Sequence, residues 1–233
     1  MFPGNKYKAV TFSYDDGVIQ DKRLIDIFNK YGLKATFNLN SGLQSGASSF
    51  IKNDIVIRRL NVEGLKKLYQ GHEIAVHTLT HPFLEKQDAE TVYNEILQDK
   101  KNLEQIFEQN IQGMAYPFGT YNDEVIKIVK DCGIRYSRTV KTTENFLPQK
   151  DLLAFKSTCH HNNPKLMKLA EEFVRSDAKD PQIFYIWGHS YEFEVDQNWE
   201  VIEEFCRYIS GRDDIFYGTN EEVLLCESLH ATQ

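Results

Sequence analysis

Short apolar runs alternate with amphipathic stretches along nearly the whole chain. The first apolar run, KAVTFSY at 8–14, ends at Asp-Asp-Gly and predicts a strand. The stretch 21–32 places Leu24 and Phe28 at helical spacing and stops at Gly32, which predicts a helix. The same pattern predicts further strands over 34–40, 72–77, 113–117, 134–140, 152–158, 182–189 and 215–219, and further helices over 61–71, 88–107, 121–133, 164–176, 198–210 and 220–229.

This alternation predicts the fold class. Strands that alternate with helices pair in parallel through right-handed crossovers. Seven or eight such units favour closure into an α/β barrel of parallel strands over an open sheet. The segment 41–60 is expected to be a polar loop, and Asn61 is expected to cap the helix that follows it. No linker interrupts the pattern, so we expect one domain over 1–233.

Composition argues against several classes of protein. The net charge of -7 disfavours a nucleic-acid partner, which would require a basic face. No apolar run is long enough to span a bilayer, and the N-terminal residues lack the apolar stretch of a signal peptide. We therefore expect a cytoplasmic protein without a membrane partner. The four cysteines lie far apart and form no CxxC pair, which favours reduced thiols.

Polar side chains collect where the predicted strands end. In α/β folds of this kind the functional site lies at the carboxyl ends of the strands. His72 lies at a strand start, on the opposite side, and is interpreted as structural, while His230 lies in the tail. The strand ends deliver, in chain order, Asp15 and Asp16, Asn38 and Asn40, His77 and His81, the YPFG segment at 116–119, Arg138, His160 and His161, and His189.

Three of these groups together favour a catalytic metal site. Asp-Asp-Gly alone can be a turn, and a single histidine such as His189 can belong to the core. Two histidines and one aspartate, however, form a ligand set that leaves positions open for water and substrate. His77 and His81 are spaced for this role, and Pro82 places them on a loop or a single turn rather than within a longer helix. A second carboxylate can then accept a proton and a separate histidine can donate one, which suits hydrolysis of an amide or an ester.

The motifs SYDDG (13–17), HTLTH (77–81), YPFG (116–119) and WGH (187–189) resemble those of the polysaccharide deacetylases, the NodB-homology group of carbohydrate esterase family 4. The resemblance runs from about residue 8 to about residue 190 and implies a distorted (β/α)7-type barrel. The resemblance also implies that Asp15 is the general base and His189 the general acid.

The same resemblance implies the metal ligands and the oxyanion hole. Asp16, His77 and His81 would hold a divalent metal, for which this donor set suits Zn best while remaining compatible with Co, Ni, Mn or Fe. The backbone N–H of Phe118 would help to form the oxyanion hole. Tyr116 and Trp187 are candidates for an aromatic substrate-binding wall, although ordinary packing would explain them equally well.

The sequence departs from the family pattern at two points. The family arginine that pairs with the base is Ala115 here, and the usual fourth motif, an aspartate followed by tryptophan, is not visible. We expect Arg138, at the next strand end, to replace that arginine, with an exposed surface arginine as the alternative. Glu192 and Glu194 are weaker candidates to hold the acid histidine.

The expected function is metal-dependent removal of an acetyl or acyl group from an N-acetylated sugar or oligosaccharide. One alternative is a same-fold amidohydrolase that acts on a small non-sugar amide or a cyclic ureide. Another is a carbohydrate-binding relic that has lost catalysis. The sequence does not indicate the oligomeric state.

Overall fold

The computed structural model describes residues 1–227. Its strands are β1 (Lys8–Asp15), β2 (Thr36–Leu39), β3 (Ser49–Lys52), β4 (Ile55–Arg58), β5 (Glu73–Val76), β6 (Gly113–Ala115), β7 (Tyr136–Thr142), β8 (Phe155–Ser157), β9 (Cys159–His160), β10 (Gln182–Gly188) and β11 (Ile215–Tyr217). Its helices are α1 (Asp21–Lys30), α2 (Leu65–Leu68), α3 (Ala89–Phe107), α4 (Asp123–Asp131), α5 (Leu166–Arg175), α6 (Ser190–Val195), α7 (Trp199–Ile209) and α8 (Asn220–Leu224).

The parallel strands run in the order β8-β7-β6-β5-β2-β1-β10-β9, and β11 also pairs with β1. The two ends of this order belong to one stretch of chain, because only Thr158 separates β8 from β9. That stretch pairs with β7 at its start and with β10 at its end, and so closes the sheet. The result is the distorted (β/α)7 barrel that the sequence predicts, with β8 and β9 sharing one strand position.

Strand β1 lies in the barrel wall between β2 and β10. All eight of its residues are buried, although only half of them are apolar. It pairs with β10 along its length, with β11 at its start and with β2 at its end. The helices cover the outside through amphipathic faces, and α3 and α4 begin at the side-chain caps Asp88 and Asn122. None of the helices in the described residues is both long and apolar enough to cross a bilayer.

The expected polar loop over 41–60 is wrong. Its second half forms the antiparallel hairpin β3–β4, which has Phe50 and Ile57 on its inner face. The two-residue turn Asn53-Asp54 has positive φ at both positions, as a tight hairpin requires. The signal in SFIKNDIVIR is two short β-rich runs on either side of a polar two-residue turn.

The expected helix over 61–71 is also wrong in extent. Asn61 forms an antiparallel bridge with Ser45 instead of a cap, and Gly64 at φ 86 starts the single turn α2. The strand expected over 152–158 begins only at Phe155, after a short 3₁₀ turn. The helix expected over 220–229 ends at Leu224, and its last two positions lie outside the described residues. Helix α6 is absent from the sequence prediction because it is too short for a periodic pattern.

Candidate active site

The carboxyl ends of the parallel strands surround one cavity of about 450 Å³. Asp15 is the last residue of β1, while His77 and His189 directly follow β5 and β10. Strands that run in parallel end on one side of the barrel, so their terminal side chains converge. The cavity is lined by every predicted site residue except Arg138, namely Asp15, Asp16, His77, His81, Tyr116, Phe118, Trp187 and His189.

Asp15 is buried and held by two donors. Arg138 Nη2 donates to Asp15 Oδ1 at 2.6 Å and also contacts Oδ2, while Asn38 Nδ2 donates to Oδ1 at 2.8 Å. Burial alone would raise the pKa of Asp15, but the Arg138 guanidinium, aided by His77 and His189, lowers it to about 2. Asp15 is therefore ionised at neutral pH and fixed in orientation.

Arg138 reaches Asp15 from the strand next to the one expected in the family. Arg138 and Ala115 are direct partners in the parallel register of β7 and β6, so both lie at the same level of the barrel. The guanidinium is 1% exposed, donates through Nε to Ser13 Oγ at 3.1 Å, and lies 4.4 Å from the centre of the Trp187 ring. The contact expected between Arg138 and Asp15 is present, and the exposed alternative is wrong.

Asp16, His77 and His81 form the candidate metal site. One ligand atom from each residue lies within 4.8 Å of the others. The Nδ1 of His77 lies 2.8 Å from the Ala115 carbonyl, which fixes Nδ1 as the protonated nitrogen and leaves Nε2 as the donor atom for a metal. Burial lowers the pKa of both histidines, that of His81 to about 4, and so favours the neutral imidazoles that bind metals. Two neutral imidazoles and one carboxylate fit a divalent metal such as zinc.

The loop that carries the two histidines has a constrained backbone. Thr78 and His81 have φ of 66° and 61°, a conformation that non-glycine residues seldom adopt. Thr78 Oγ1 accepts a hydrogen bond from the His81 N–H at 3.1 Å, and Glu95 of α3 accepts two from Thr80. Pro82 follows in a loop, as the sequence predicts. The strained conformation is thus maintained by side-chain contacts inside and outside the loop.

Asp99 supports His77 from α3. Its two carboxylate oxygens accept hydrogen bonds from the backbone N–H groups of His77 and Ser41, at 3.1 and 2.7 Å. Burial raises the pKa of Asp99 to about 7, and these two bonds oppose the rise. The sequence analysis did not identify Asp99. A signal for it was present, because an acidic residue lies between Ile96 and Leu103 on the apolar face of α3.

Arg59 is a second buried cation, and the sequence analysis did not identify it. It follows β4, and its Nη1 donates to the Asp16 carbonyl at 2.6 Å, to Asp16 Oδ1 at 3.1 Å and to Asn40 Oδ1 at 2.9 Å. Gln44 Nε2 also donates to the Asp16 carbonyl, at 3.0 Å. Asp16 has φ of 83°, so these contacts stabilise a backbone conformation that points its carboxylate into the cavity.

His189 faces Asp15 across the cavity and Glu192 behind it. His189 Nε2 lies 3.8 Å from Asp15 Oδ2, and His189 Nδ1 lies 3.3 Å from Glu192 Oε2. Burial would lower the pKa of His189, but Glu192, with help from Asp15 and Asp16, raises it to about 9. Of the two candidate partners of His189, Glu192 is thus the one that lies beside its ring, whereas Glu194 is exposed.

Phe118 follows β6 in a left-handed conformation, with φ of 57° and ψ of 1°. Its ring is 46% exposed, stacks on Phe83 with centroids 3.7 Å apart and meets the His81 ring edge to face at 4.5 Å. The tight turn at Pro117–Gly119 places Phe118 at the wall of the cavity, with its ring beside the candidate ligand His81.

Tyr116 and Trp187 line the cavity with most of their surface buried. The Tyr116 hydroxyl donates to the Leu153 carbonyl at 2.8 Å, so it is not free for a substrate, and the ring stacks on Tyr121. One face of Trp187 is covered by the Arg138 guanidinium. Substrate binding by either residue remains a prediction that would involve ring atoms only.

Gly188, between Trp187 and His189, leaves room for a buried ring. A Cβ at this position would lie 2.0 Å from His161 Nδ1, and the His161 ring is fully buried between Tyr14 and Phe193. We expect Gly188→Ala to lower the free energy of unfolding by about 1–3 kcal/mol through overpacking. Urea denaturation of both proteins measures this difference, and an unchanged midpoint would show that the His161 ring moves freely.

Comparison with known proteins identifies the family. The family model described as polysaccharide deacetylase matches residues 3–137, which is more than half of the chain. Peptidoglycan-N-acetylglucosamine deacetylase of Listeria monocytogenes is 29% identical over 123 residues, which cover 51% of this chain and 23% of that protein. The chain thus spans about a quarter of the length of that relative.

Two solved structures resemble the chain. The Streptococcus pyogenes deacetylase PplD in complex with acetate is 28% identical, covers 56% of this chain and 55% of that one, and has a TM-score of 0.50. A family 4 acetyl xylan esterase from Clostridium thermocellum in complex with a cobalt ion is 15% identical, with a TM-score of 0.62 over 95% of this chain and 92% of that one. The second likeness concerns the fold alone. Because the family model matches more than half of the chain and includes three of the four motifs, the chain belongs to the polysaccharide deacetylase family.

Proposed function

We propose that this protein is a metal-dependent hydrolase that removes an acetyl or acyl group from the nitrogen of an N-acetylated sugar or oligosaccharide. The observation that carries the proposal is the pair of opposite protonation states beside the candidate metal ligands. With a pKa of about 2, Asp15 is a free base at neutral pH, and with a pKa of about 9, His189 is a proton donor. Hydrolysis of an amide needs both groups at once.

The residues of this chain divide the reaction between them. A divalent metal bound by Asp16, His77 and His81 would supply Lewis acidity, which polarises a carbonyl and acidifies water. Asp15 accepts the proton as water attacks the carbonyl carbon. The Phe118 N–H donates to the developing oxyanion, a contact worth about 3 kcal/mol in related acyl-transfer chemistry. His189 Nε2 then donates a proton to the departing amine nitrogen, so that a neutral amine leaves.

One observation supports a second candidate, a small non-sugar amide as substrate. The hairpin β3–β4 contributes Phe50 and Lys52 to the cavity wall, opposite Phe118 and Val140. A cavity bounded on these sides favours a short substrate over an internal unit of a long polymer. Acetate release from N-acetylglucosamine oligomers of increasing length, compared with simple N-acyl amides, separates the two. Absence of turnover on every substrate after addition of divalent metals would instead favour the non-catalytic relic.

The metal ligands have a direct test. We expect a chelator to abolish turnover and Zn or Co to restore it, and we expect His77→Ala combined with His81→Ala to lose both metal and turnover, because one carboxylate alone is a weak site. Metal content after dialysis, measured by mass spectrometry, checks this. His72→Asn is the matched control, since His72 lies at the other end of the barrel and accepts the Ala35 N–H through Nδ1. Metal retained by the double variant would contradict the ligand assignment.

A further inference from the structure

We propose that His160 is a positioning residue, which holds Glu192 in place and through it orients His189 toward the substrate. This inference rests on the proposed role of His189 as proton donor. His160 belongs to β9, in the stretch that closes the barrel, and Glu192 lies in the first turn of α6. The sequence makes Glu192 a candidate partner of His189 but gives His160 no role.

Three imidazoles converge on one carboxylate oxygen. Glu192 Oε2 lies 3.1 Å from His160 Nε2, 3.3 Å from His161 Nε2 and 3.3 Å from His189 Nδ1. It also accepts the backbone N–H of His189 at 3.0 Å. Burial alone would raise the pKa of Glu192, but its contacts with His160 and His189 hold that pKa well below its usual range, so the carboxylate is ionised and accepts hydrogen bonds only.

A local contact fixes the tautomer of His160. Its Nδ1 accepts the Asn162 N–H at 3.1 Å, so in the neutral ring the proton is on Nε2. That Nε2–H faces Glu192 Oε2 at 3.1 Å and can donate to it. His160 is therefore a donor to Glu192, just as a carboxylate partner commonly orients a functional histidine.

The same contact argues against a second metal site. His160, His161 and Glu192 bring their ligand atoms within 4.8 Å of one another, a spacing that invites this alternative. In the neutral His160 ring, however, Nε2 carries the proton and has no lone pair with which to bind a metal. His161 is fully buried with both ring nitrogens lacking a hydrogen-bond partner in residues 1–227, and it stacks on Phe193 at 4.1 Å. It fills space beside Glu192 as a neutral ring.

His160 matters because Glu192 is not held by packing alone. The Glu192 side chain keeps 20% of its surface exposed, and that of His160 keeps 24%, so without His160 the hydrogen bond from the His189 backbone N–H has to hold the carboxylate against rotation toward water. Displacement of Glu192 would remove the carboxylate that lies 3.3 Å from His189 Nδ1 and that accepts the His189 backbone N–H. The orientation of the Nε2 proton toward the departing amine would then be averaged over several ring positions, which slows proton donation but not substrate binding.

Two substitutions separate this role from a structural one. His160→Gln keeps an N–H donor where Nε2 lies but loses the acceptor for the Asn162 N–H, whereas His160→Asn keeps that acceptor and loses the donor. We expect His160→Asn to lower kcat for an N-acetyl amide about tenfold with KM unchanged, and His160→Gln to stay within about threefold of the wild type. Thermal melting verifies that both variants fold.

The choice of substrate isolates the proton donor. An N-acetyl amide needs protonation of its leaving amine, whereas p-nitrophenyl acetate releases a phenolate that leaves as an anion. We therefore expect His160→Asn to slow the amide and not the ester. Absence of metal-dependent turnover in the wild type would refute the proposed function instead, so the two failures are distinguishable.

The metal-free protein gives a readout that does not depend on activity. In ¹H–¹⁵N spectra of the histidine rings, we expect the Nδ1–H signal of His189 to be protected in the wild type and in His160→Gln, and to be lost by exchange in His160→Asn. Equal kcat in the two variants, a larger loss in His160→Gln, or a second bound Zn removed by His161→Phe would each overturn the inference.

Discussion

Replacing Asp15 with asparagine is expected to reduce amide hydrolysis by at least about 10³-fold while the protein remains folded and able to bind metal. Asn keeps the shape of the side chain and an oxygen for Arg138 and Asn38, but it cannot accept the proton of the attacking water. General-base catalysis contributes about 10²–10⁴-fold, and the loss should appear in kcat. Steady-state kinetics and metal content of the same preparation measure both parts.

Glu73→Gln is the matched control for Asp15→Asn. Glu73 is also a buried carboxylate, but it begins β5 at the opposite end of the barrel and accepts hydrogen bonds from Thr36 and Tyr136. Removing its charge should leave kcat unchanged. If Asp15→Asn retains turnover, the assignment of Asp15 as base fails; if it loses metal together with turnover, Asp15 belongs to the ligand set.

Replacing Arg138 with leucine is expected to lower the free energy of unfolding by about 3–5 kcal/mol at pH 7. Removing one partner of a buried ion pair leaves the other charge uncompensated, and Asp15 is 3% exposed. Arg135→Leu is the control, because Arg135 is an exposed residue of the same region, where substitutions change stability by less than about 0.5 kcal/mol. Urea denaturation of the metal-free proteins measures the difference.

The effect of Arg138 has a defined pH dependence. The folded-state pKa of Asp15, about 2, lies below the unfolded value of about 3.9, so its ionisation adds stability above pH 4 that is lost as the pH falls through 2. In Arg138→Leu, burial raises that pKa instead, so the variant gains relative stability as Asp15 is protonated. The gap between wild type and variant should therefore be largest near pH 7 and narrow below pH 4. A gap independent of pH would contradict a charge-pairing role.

A strand-to-strand exchange tests whether Arg138 replaces the family arginine. Because Ala115 and Arg138 are register partners, Arg138→Ala combined with Ala115→Arg moves the guanidinium to the neighbouring strand at the same level. We expect the double variant to recover part of the kcat that Arg138→Ala loses. The single variant Ala115→Arg is the control, since it places two guanidinium groups beside one carboxylate. No recovery would mean that Arg138 has a function tied to its own strand.

The part of the site that follows from strand ends was predictable. Asp15, His77 and His189 terminate apolar runs, and the barrel topology then requires them to converge. Even the pairing of Asp15 with Arg138 followed from a missing arginine and from the order of the strands. These inferences needed only a periodic pattern and the rule that parallel strands end together.

The supporting contacts were not predictable, for physical reasons. Arg59 reaches Asp16 only because a hairpin with two positive φ values turns the chain back over the barrel. Glu192 was one of two equivalent candidates until α6 pointed it at His189 and left Glu194 exposed. Such contacts depend on how a loop folds and on which side chains of a short helix face inward. Segments this short have no periodic pattern from which either can be predicted.

The pairing of β1 with strands from the end of the described chain makes assembly of this barrel depend on long-range contacts. Strand β1 precedes the other strands along the chain, yet one of its edges pairs with β10 and the start of its other edge pairs with β11, both near the end of the described chain. Pairing between such distant segments carries a large loop-closure cost, so folding is governed by late, non-local steps. Asp15 and His189 therefore come together only when β10 pairs with β1. A nascent chain in which that edge of β1 is still unpaired lacks the candidate active site.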